Sequence, residues 1–431
     1  MFYDGHRPGG MMRNALAAAV LIGTTLPAPA GFEAGAATAD VTPPVGYPMW
    51  GYASRKDKPS EGVRDPLKAR ALVLKSGEGK IALVSLDMGR APTRESMARI
   101  RDGLKTDSFA ELFLVASHTH HGPVLELDTW PKDRPYVREL EGTLVKLVKA
   151  ADAARVPARY ALTSEEVPLN RNRQSRRKDA PVDRELLVLH VVDTSGKPIA
   201  TAVNFAAHPT TLPASLMRFS ADFPGAMARH VEAATGGAPC LFLQGAAGDL
   251  SPNLSPDAPD GDKFGRLIGD SVLSLLKDVR FEKPGERLVA RREELRFKAV
   301  LDVRNPFVRG ALGNAFFPEL ISFFEREYAD GVRPSVSAAV LDGRVGFVGL
   351  SGEFFCEHAL SLKRRARLPH LFVLGYCNDY HQYFPTVQAV SEGGYGTGIP
   401  VSVAELGAGE RVADRALIQL YQLRGLVPDV P

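Results

Sequence analysis

Short, continuous apolar runs alternate along the chain with amphipathic stretches. Residues 81–86, 112–116, 186–192, 200–205, 241–243 and 345–350 are apolar at nearly every position, the pattern of strands buried on both faces. Between them, 94–104, 136–154, 224–234 and 264–276 carry apolar residues at helical spacing. In the last of these, Phe264, Leu267, Ile268, Val272 and Leu276 share one face. This alternation predicts an α/β fold: a mixed, largely parallel sheet core flanked by helices, with loops at strand ends forming the site. Polar segments 171–183 and 254–262 read as exposed loops, and no internal repeat is visible. Residues 296–345 shift to strand mixed with a Phe-rich helix, expected as a subdomain or cap. Within them, 316–324 reads as a core helix or as a lipid-facing lid. One helix and an extended Pro-rich end follow in 411–431.

Composition removes several classes. The chain of 431 residues balances 53 Lys and Arg against 50 Asp and Glu, with no basic stripe, so a nucleic-acid partner is not expected. Cys240, Cys356 and Cys377 lack CxxC spacing, which leaves one pair with a free thiol or three buried thiols. Met11, Met12 and Arg13 precede an apolar run that closes on Ala28-Pro29-Ala30, the form of a secretory signal peptide. The expectation is a leader over residues 1–30, cleaved near Gly31, a single catalytic domain over 31–431, and a secreted or periplasmic mature protein.

Candidate chemistry gathers where the apolar runs end, the place where open α/β sheets bind ligands. Ser117-His118-Thr119-His120-His121 follows 112–116, and in an extended segment His118 and His120 would face one side. His208 ends 200–205 before Pro209. Gln244-Gly245-Ala246-Ala247-Gly248-Asp249-Leu250-Ser251 follows 241–243, where Asp249 and Ser251 could hydrogen-bond a substrate or a water. Glu353 follows 345–350, as a third metal ligand or a general base. Two histidines and a carboxylate leave an open coordination position, the arrangement of catalytic zinc. Neither GxSxG nor a phosphate loop is present, so a serine hydrolase or nucleotide site gains no support.

These motifs resemble the N-terminal catalytic domain of the neutral/alkaline ceramidases. The resemblance runs through Ala39-Asp40-Val41-Thr42-Pro43-Pro44, Ser85-Leu86-Asp87-Met88-Gly89, Ser117-His118-Thr119-His120, Asn170-Arg171, Asn204-Phe205-Ala206-Ala207-His208, Gly248-Asp249-Leu250-Ser251-Pro252-Asn253 and Gly352-Glu353-Phe354. It implies hydrolysis of the ceramide amide with one Zn2+ per chain, bound by His118, His208 and Glu353. His120 would shuttle protons, and Arg171 and Ser251 would bind or polarise the substrate; Asp87 and Asp249 are expected to orient metal ligands, because metal-bound histidines usually donate their other N–H to an acceptor. The family's tyrosine ligand precedes a Glu-Gly pair; here Ser391 stands at that place and Tyr395 follows the glycines, so Tyr395 is expected to serve, ahead of Tyr383. The chain resembles a short form without the family's C-terminal immunoglobulin-like domain. A small-molecule or lipid amide substrate and transient contact with a membrane surface are the implied partners. Two other readings are the same machinery acting on a different amide or ester, such as an N-acyl amino acid, lipopeptide or cell-wall amide, and a non-catalytic envelope binding protein.

Overall fold

The computed structural model describes residues 31–133, 135–257, 260–282, 284–313 and 316–429; the expected leader, 1–30, lies outside them. Eight strands form the larger sheet: β1 (Glu33–Asp40), β2 (Lys68–Ser76), β3 (Gly79–Leu86), β4 (Glu111–Ala116), β5 (Val156–Glu166), β6 (Glu185–Asp193), β7 (Pro198–Phe205) and β8 (Cys240–Gln244). Their order is β8-β7-β6-β5-β1-β2-β3-β4. A second sheet holds β9 (Leu288–Glu294), β10 (Ser335–Leu341), β11 (Val345–Leu350) and β12 (His370–Leu374), in that order.

The mixed α/β class follows the sequence, but the expectation of a largely parallel sheet is corrected. Only β3–β4 and β7–β8 are parallel in the larger sheet; its other neighbours are antiparallel. The reason is two-sided burial. β2 and β3, and β6 and β7, are hairpins joined by short turns, yet both of their faces are covered, so they read as unbroken apolar runs without parallel pairing.

Alternation along each strand divides the side chains between two layers. On one face, Val73, Ala82, Val84, Leu112 and Leu114 pack against Met97 and Ile100 of α1 (Arg94–Gly103) and Leu140, Leu144 and Leu147 of α2 (Tyr136–Ala153). Further along the same sheet, Val188, Val203 and Phe242 meet Phe223 and Met227 of α3 (Asp222–Ala234) and Phe264, Ile268 and Val272 of α4 (Gly261–Leu276). On the opposite face, Leu72, Leu83, Phe113, Leu189 and Leu241 pack on Ala339, Phe347 and Phe372 of the smaller sheet. The outer face of that sheet is covered by α5 (Pro318–Glu327), α6 (Cys356–Arg365) and α7 (Ala408–Leu423). Leu320, Ile321, Phe323 and Phe324 are therefore buried in this cluster, which is the core-helix reading of 316–324. All three cysteines are buried free thiols. Among the described residues, no helix is long and apolar enough to cross a membrane.

The chain after β12 ties the two edges of the larger sheet together. The Gly375 amide donates to the Gln244 carbonyl of β8 at 3.0 Å, the Ala116 amide of β4 donates to Tyr376 at 3.1 Å, and the Asn378 amide donates to Leu114 at 2.9 Å. Strand ends that the sheet order separates thus open on one place.

Candidate active site

His118, His208 and Glu353 meet at that place. The Gln244 side chain, fully buried at the end of β8, donates from Nε2 to the carbonyls of Ser117 (2.9 Å) and Ala207 (2.8 Å), which holds the two histidine loops side by side. His118 Nδ1–H donates to Gly89 O at 2.7 Å and His208 Nδ1–H to Ala247 O at 2.9 Å. In the neutral imidazole these bonds put the proton on Nδ1 and the lone pair on Nε2. The two Nε2 atoms lie 2.9 Å apart, and each is 3.4 Å from Glu353 Oε2. Two lone pairs and a carboxylate oxygen, buried and facing one another, repel unless a cation or donor stands among them.

The donor chemistry therefore fits a divalent metal: two imidazole nitrogens and one carboxylate, with the other ring nitrogens tied to backbone carbonyls. His118 is held at φ 68, in the left-handed region, and Tyr376, Asn378 and Gln382 also have positive φ. Such backbone persists where surrounding structure over-determines it, as at binding sites. The extended-segment argument for His118 and His120 fails in detail, since β4 ends at Ala116, yet their Nε2 atoms still approach to 3.4 Å. Gly51, at φ +109, makes room for this loop: a Cβ there would lie 2.6 Å from His120 Cα.

Electrostatics follow from the burial. Burial, then His118, Arg173, His121 and Arg55, pushes His120 well below the ordinary histidine range, so it is a neutral base. His208 is lowered in the same way by burial, Arg173 and the two neighbouring histidines. For Glu353, burial works upward, but His118 and the Tyr380 hydroxyl outweigh it and keep the carboxylate ionised. Tyr380 donates to Glu353 Oε1, and Tyr376 approaches Oε2 at 3.5 Å. Burial and the Glu353 charge raise both phenols well above 10, so both stay protonated donors.

The residue set named from sequence is brought together only in part. His118, His120, His208 and Glu353 share the cluster. Arg171 does not: its side chain is exposed on the short strand Asn170–Asn172. Arg173 is the arginine in the site, its Nη2 donating to His208 Nε2 (3.2 Å), Gly248 O (2.9 Å) and Tyr383 OH (3.1 Å). Asn-Arg occurs twice in succession at 170–173, and only the chain's turn after Asn172 decides which arginine enters. Tyr395 is 63% exposed, with its ring against Tyr383 (5.5 Å between centroids) and the Arg173 guanidinium 5.7 Å above it. The tyrosines that touch Glu353 are Tyr376 and Tyr380, neither of which sequence reasoning named.

Asp249 and Asp87 do not reach the histidine nitrogens, whose orienting acceptors are backbone carbonyls. Asp249 instead accepts from the Cys356 amide at the start of α6 (2.7 Å) and from Asn172 Nδ2 (2.9 Å), while its carbonyl takes the Arg173 amide (2.8 Å). It is a positioning residue between the Arg173 corner and the segment carrying Glu353. Asp87 accepts from the Lys68 amide and from Arg70. Ser251 is half-buried on the strand Leu250–Pro252, beside the Leu250 carbonyl that takes the His208 amide. Arg55, also unforeseen, is buried without a carboxylate. It donates to the carbonyls of His120, Trp50 (3.2 Å) and Ala214 (3.0 Å) and lies 2.7 Å from His121 Nε2, clamping the loop that carries His120.

Comparison with solved structures defines the class: the chain has the fold of neutral ceramidase. It superposes on neutral ceramidase from Pseudomonas aeruginosa with a TM-score of 0.76 and 18% identity, over 93% of this chain and 75% of that one. A ceramidase complexed with C2 gives the same TM-score and identity, over 93% and 76%. No protein-family model matches the chain.

Proposed function

We propose that this chain is a zinc-dependent amidohydrolase acting after export, and that its substrate is ceramide or a related N-acyl lipid. The observation that carries the reading is the convergence of His118 Nε2, His208 Nε2 and Glu353 Oε2 on the neutral-ceramidase fold. His118, His208 and Glu353 would hold one metal ion, with Tyr380 fixing the carboxylate. Bound there, zinc supplies a Lewis acid that polarises a carbonyl and acidifies water.

The chain's own residues do the rest. Neutral His120 takes the proton of the attacking water and returns it to the leaving nitrogen. The C–O bond forms as water gives up that proton, the C–N bond breaks as the nitrogen gains it, and an acid and an amine are released. Arg173 remains charged, since Tyr383, Glu353 and Tyr376 outweigh its burial, and it faces the negative charge that develops on the carbonyl oxygen.

A lipid substrate is supported by the surroundings. Tyr383, whose hydroxyl meets Arg173, also lines a cavity of about 190 Å3 with Val300, Phe384, Val390, Ile399 and Leu406. Ile399 and Leu406 are more than half exposed at its rim, an apolar mouth suited to transient contact with a membrane surface.

The test is release of free amine from short- and long-chain ceramides beside an N-acyl amino acid, before and after chelation and zinc return. Ceramide turnover that follows zinc is expected. Turnover of the amino acid alone would keep the machinery and move the substrate; no turnover of either would overturn the reading.

A further inference from the structure

A second cluster of metal-ligating side chains lies behind the active site. Glu327, the last residue of α5, meets Asp379 and His381 from the segment after β12. One donor atom from each lies within 4.8 Å of the others, and the three residues are 5%, 4% and 0% exposed. Among the described residues, Glu327 Oε1 and His381 Nδ1 are buried and meet no hydrogen-bond partner. His381 Nε2 is 3.2 Å from Asp379 Oδ2, but its geometry is not that of a hydrogen bond.

Arg90 reaches Asp379 Oδ1 (2.9 Å) and Glu126 (3.4 Å), and Arg94 reaches Glu327 Oε2 (3.3 Å). Arg90 thus takes the Asp379 oxygen opposite the one nearest His381, and Arg94 takes one oxygen of Glu327 and leaves Oε1 without a hydrogen bond. Glu327 further sits at a helix C-terminus, where a negative charge is disfavoured. Burial and Asp379 push its carboxyl up, against the pull of His381 and Arg94.

We propose that Glu327, Asp379 and His381 form a second, structural site for a divalent transition cation, distinct from the His118–His208–Glu353 cluster. One imidazole with two carboxylates suits zinc or manganese. A cation there satisfies the orphaned donor atoms. It also anchors the segment that carries Tyr380, whose hydroxyl meets Glu353. This site does not depend on the substrate reading.

The experiment is metal content per chain after equilibration of the full protein with zinc and removal of the free ion. Wild type is expected to hold two zinc ions, and H208A and H381A one each. E327Q, which keeps the side chain's size, should lose the same ion as H381A. H208A leaves the second cluster intact, so its retained zinc decides the matter even if H381A fails to fold. A single ion in wild type that H208A abolishes overturns the inference and leaves the catalytic site standing. A single ion kept by H208A and lost in H381A upholds the second site and overturns the metal assignment of the first.

Discussion

The hydroxyl of Tyr380 donates to Oε1 of Glu353, which leaves Oε2 for the two histidines. Partners of this kind orient a ligating carboxylate and typically contribute about 10–100-fold in metal affinity. Tyr380→Phe should weaken zinc binding by that order, read by competition with a chromogenic chelator. Unchanged affinity would show that Glu353 is held without it.

His120 and His208 should separate metal binding from proton transfer. His208→Ala is expected to lose both catalytic zinc and activity. His120→Ala should keep the zinc while kcat falls by about 10²–10⁴-fold, the usual worth of a positioned acid–base group. Loss of zinc in His120→Ala would instead make it a ligand, which its 3.4 Å approach to His118 would then explain.

The two arginines offer a paired test. Arg173→Ala should reduce kcat/KM by about 10²–10³-fold, as removal of an oxyanion donor does. Arg171→Ala, on the exposed face, should leave activity unchanged. Arg173→Lys should not restore the rate, because one ammonium cannot reproduce the planar donor fork that meets His208, Gly248 and Tyr383. Equal losses at both positions would contradict this placement.

Asp249 should leave a mark on stability. Burial raises its carboxyl to about 6, against the pull of its bonds to Cys356 and Asn172. With the folded pKa above the unfolded one, the folded state binds the extra proton. The stabilisation is present below about pH 4 and lost as pH rises through about 6, a change of about 3 kcal/mol. Urea unfolding of wild type and Asp249→Asn at pH 4 and pH 7 measures it: wild type should lose stability relative to the variant at the higher pH. A constant difference would refute the shift.

The histidines and Glu353 were legible because each follows an apolar run at a strand end. Tyr376 and Tyr380 were not, since a buried tyrosine carries no sign of what its hydroxyl meets. Arg171 and Arg173 share the same preceding residue, so only the fold tells them apart. β1 escaped notice for a different reason: Ala34-Gly35-Ala36-Ala37 lacks the bulky residues that mark a strand. A Cβ at Gly35 would lie 2.3 Å from the Ala151 carbonyl of α2, so helix contact dictates the small residues. Strand direction was lost because apolarity reports burial on both faces, which two packed sheets provide as readily as crossover helices do.

The passage of residues 375–378 between β4 and β8 has a consequence for how the protein is made. His118, His208 and the Glu353–Tyr380 pair come from distant parts of the chain, and their meeting waits on closure of wide loops. Contacts so remote in sequence form late, after the entropy of bringing the ends together has been overcome. A nascent or clipped chain would therefore hold well-formed strands and helices but no reactive centre. In the proposed reading, activity would switch on with the last step of assembly, and metal capture would draw that step to completion.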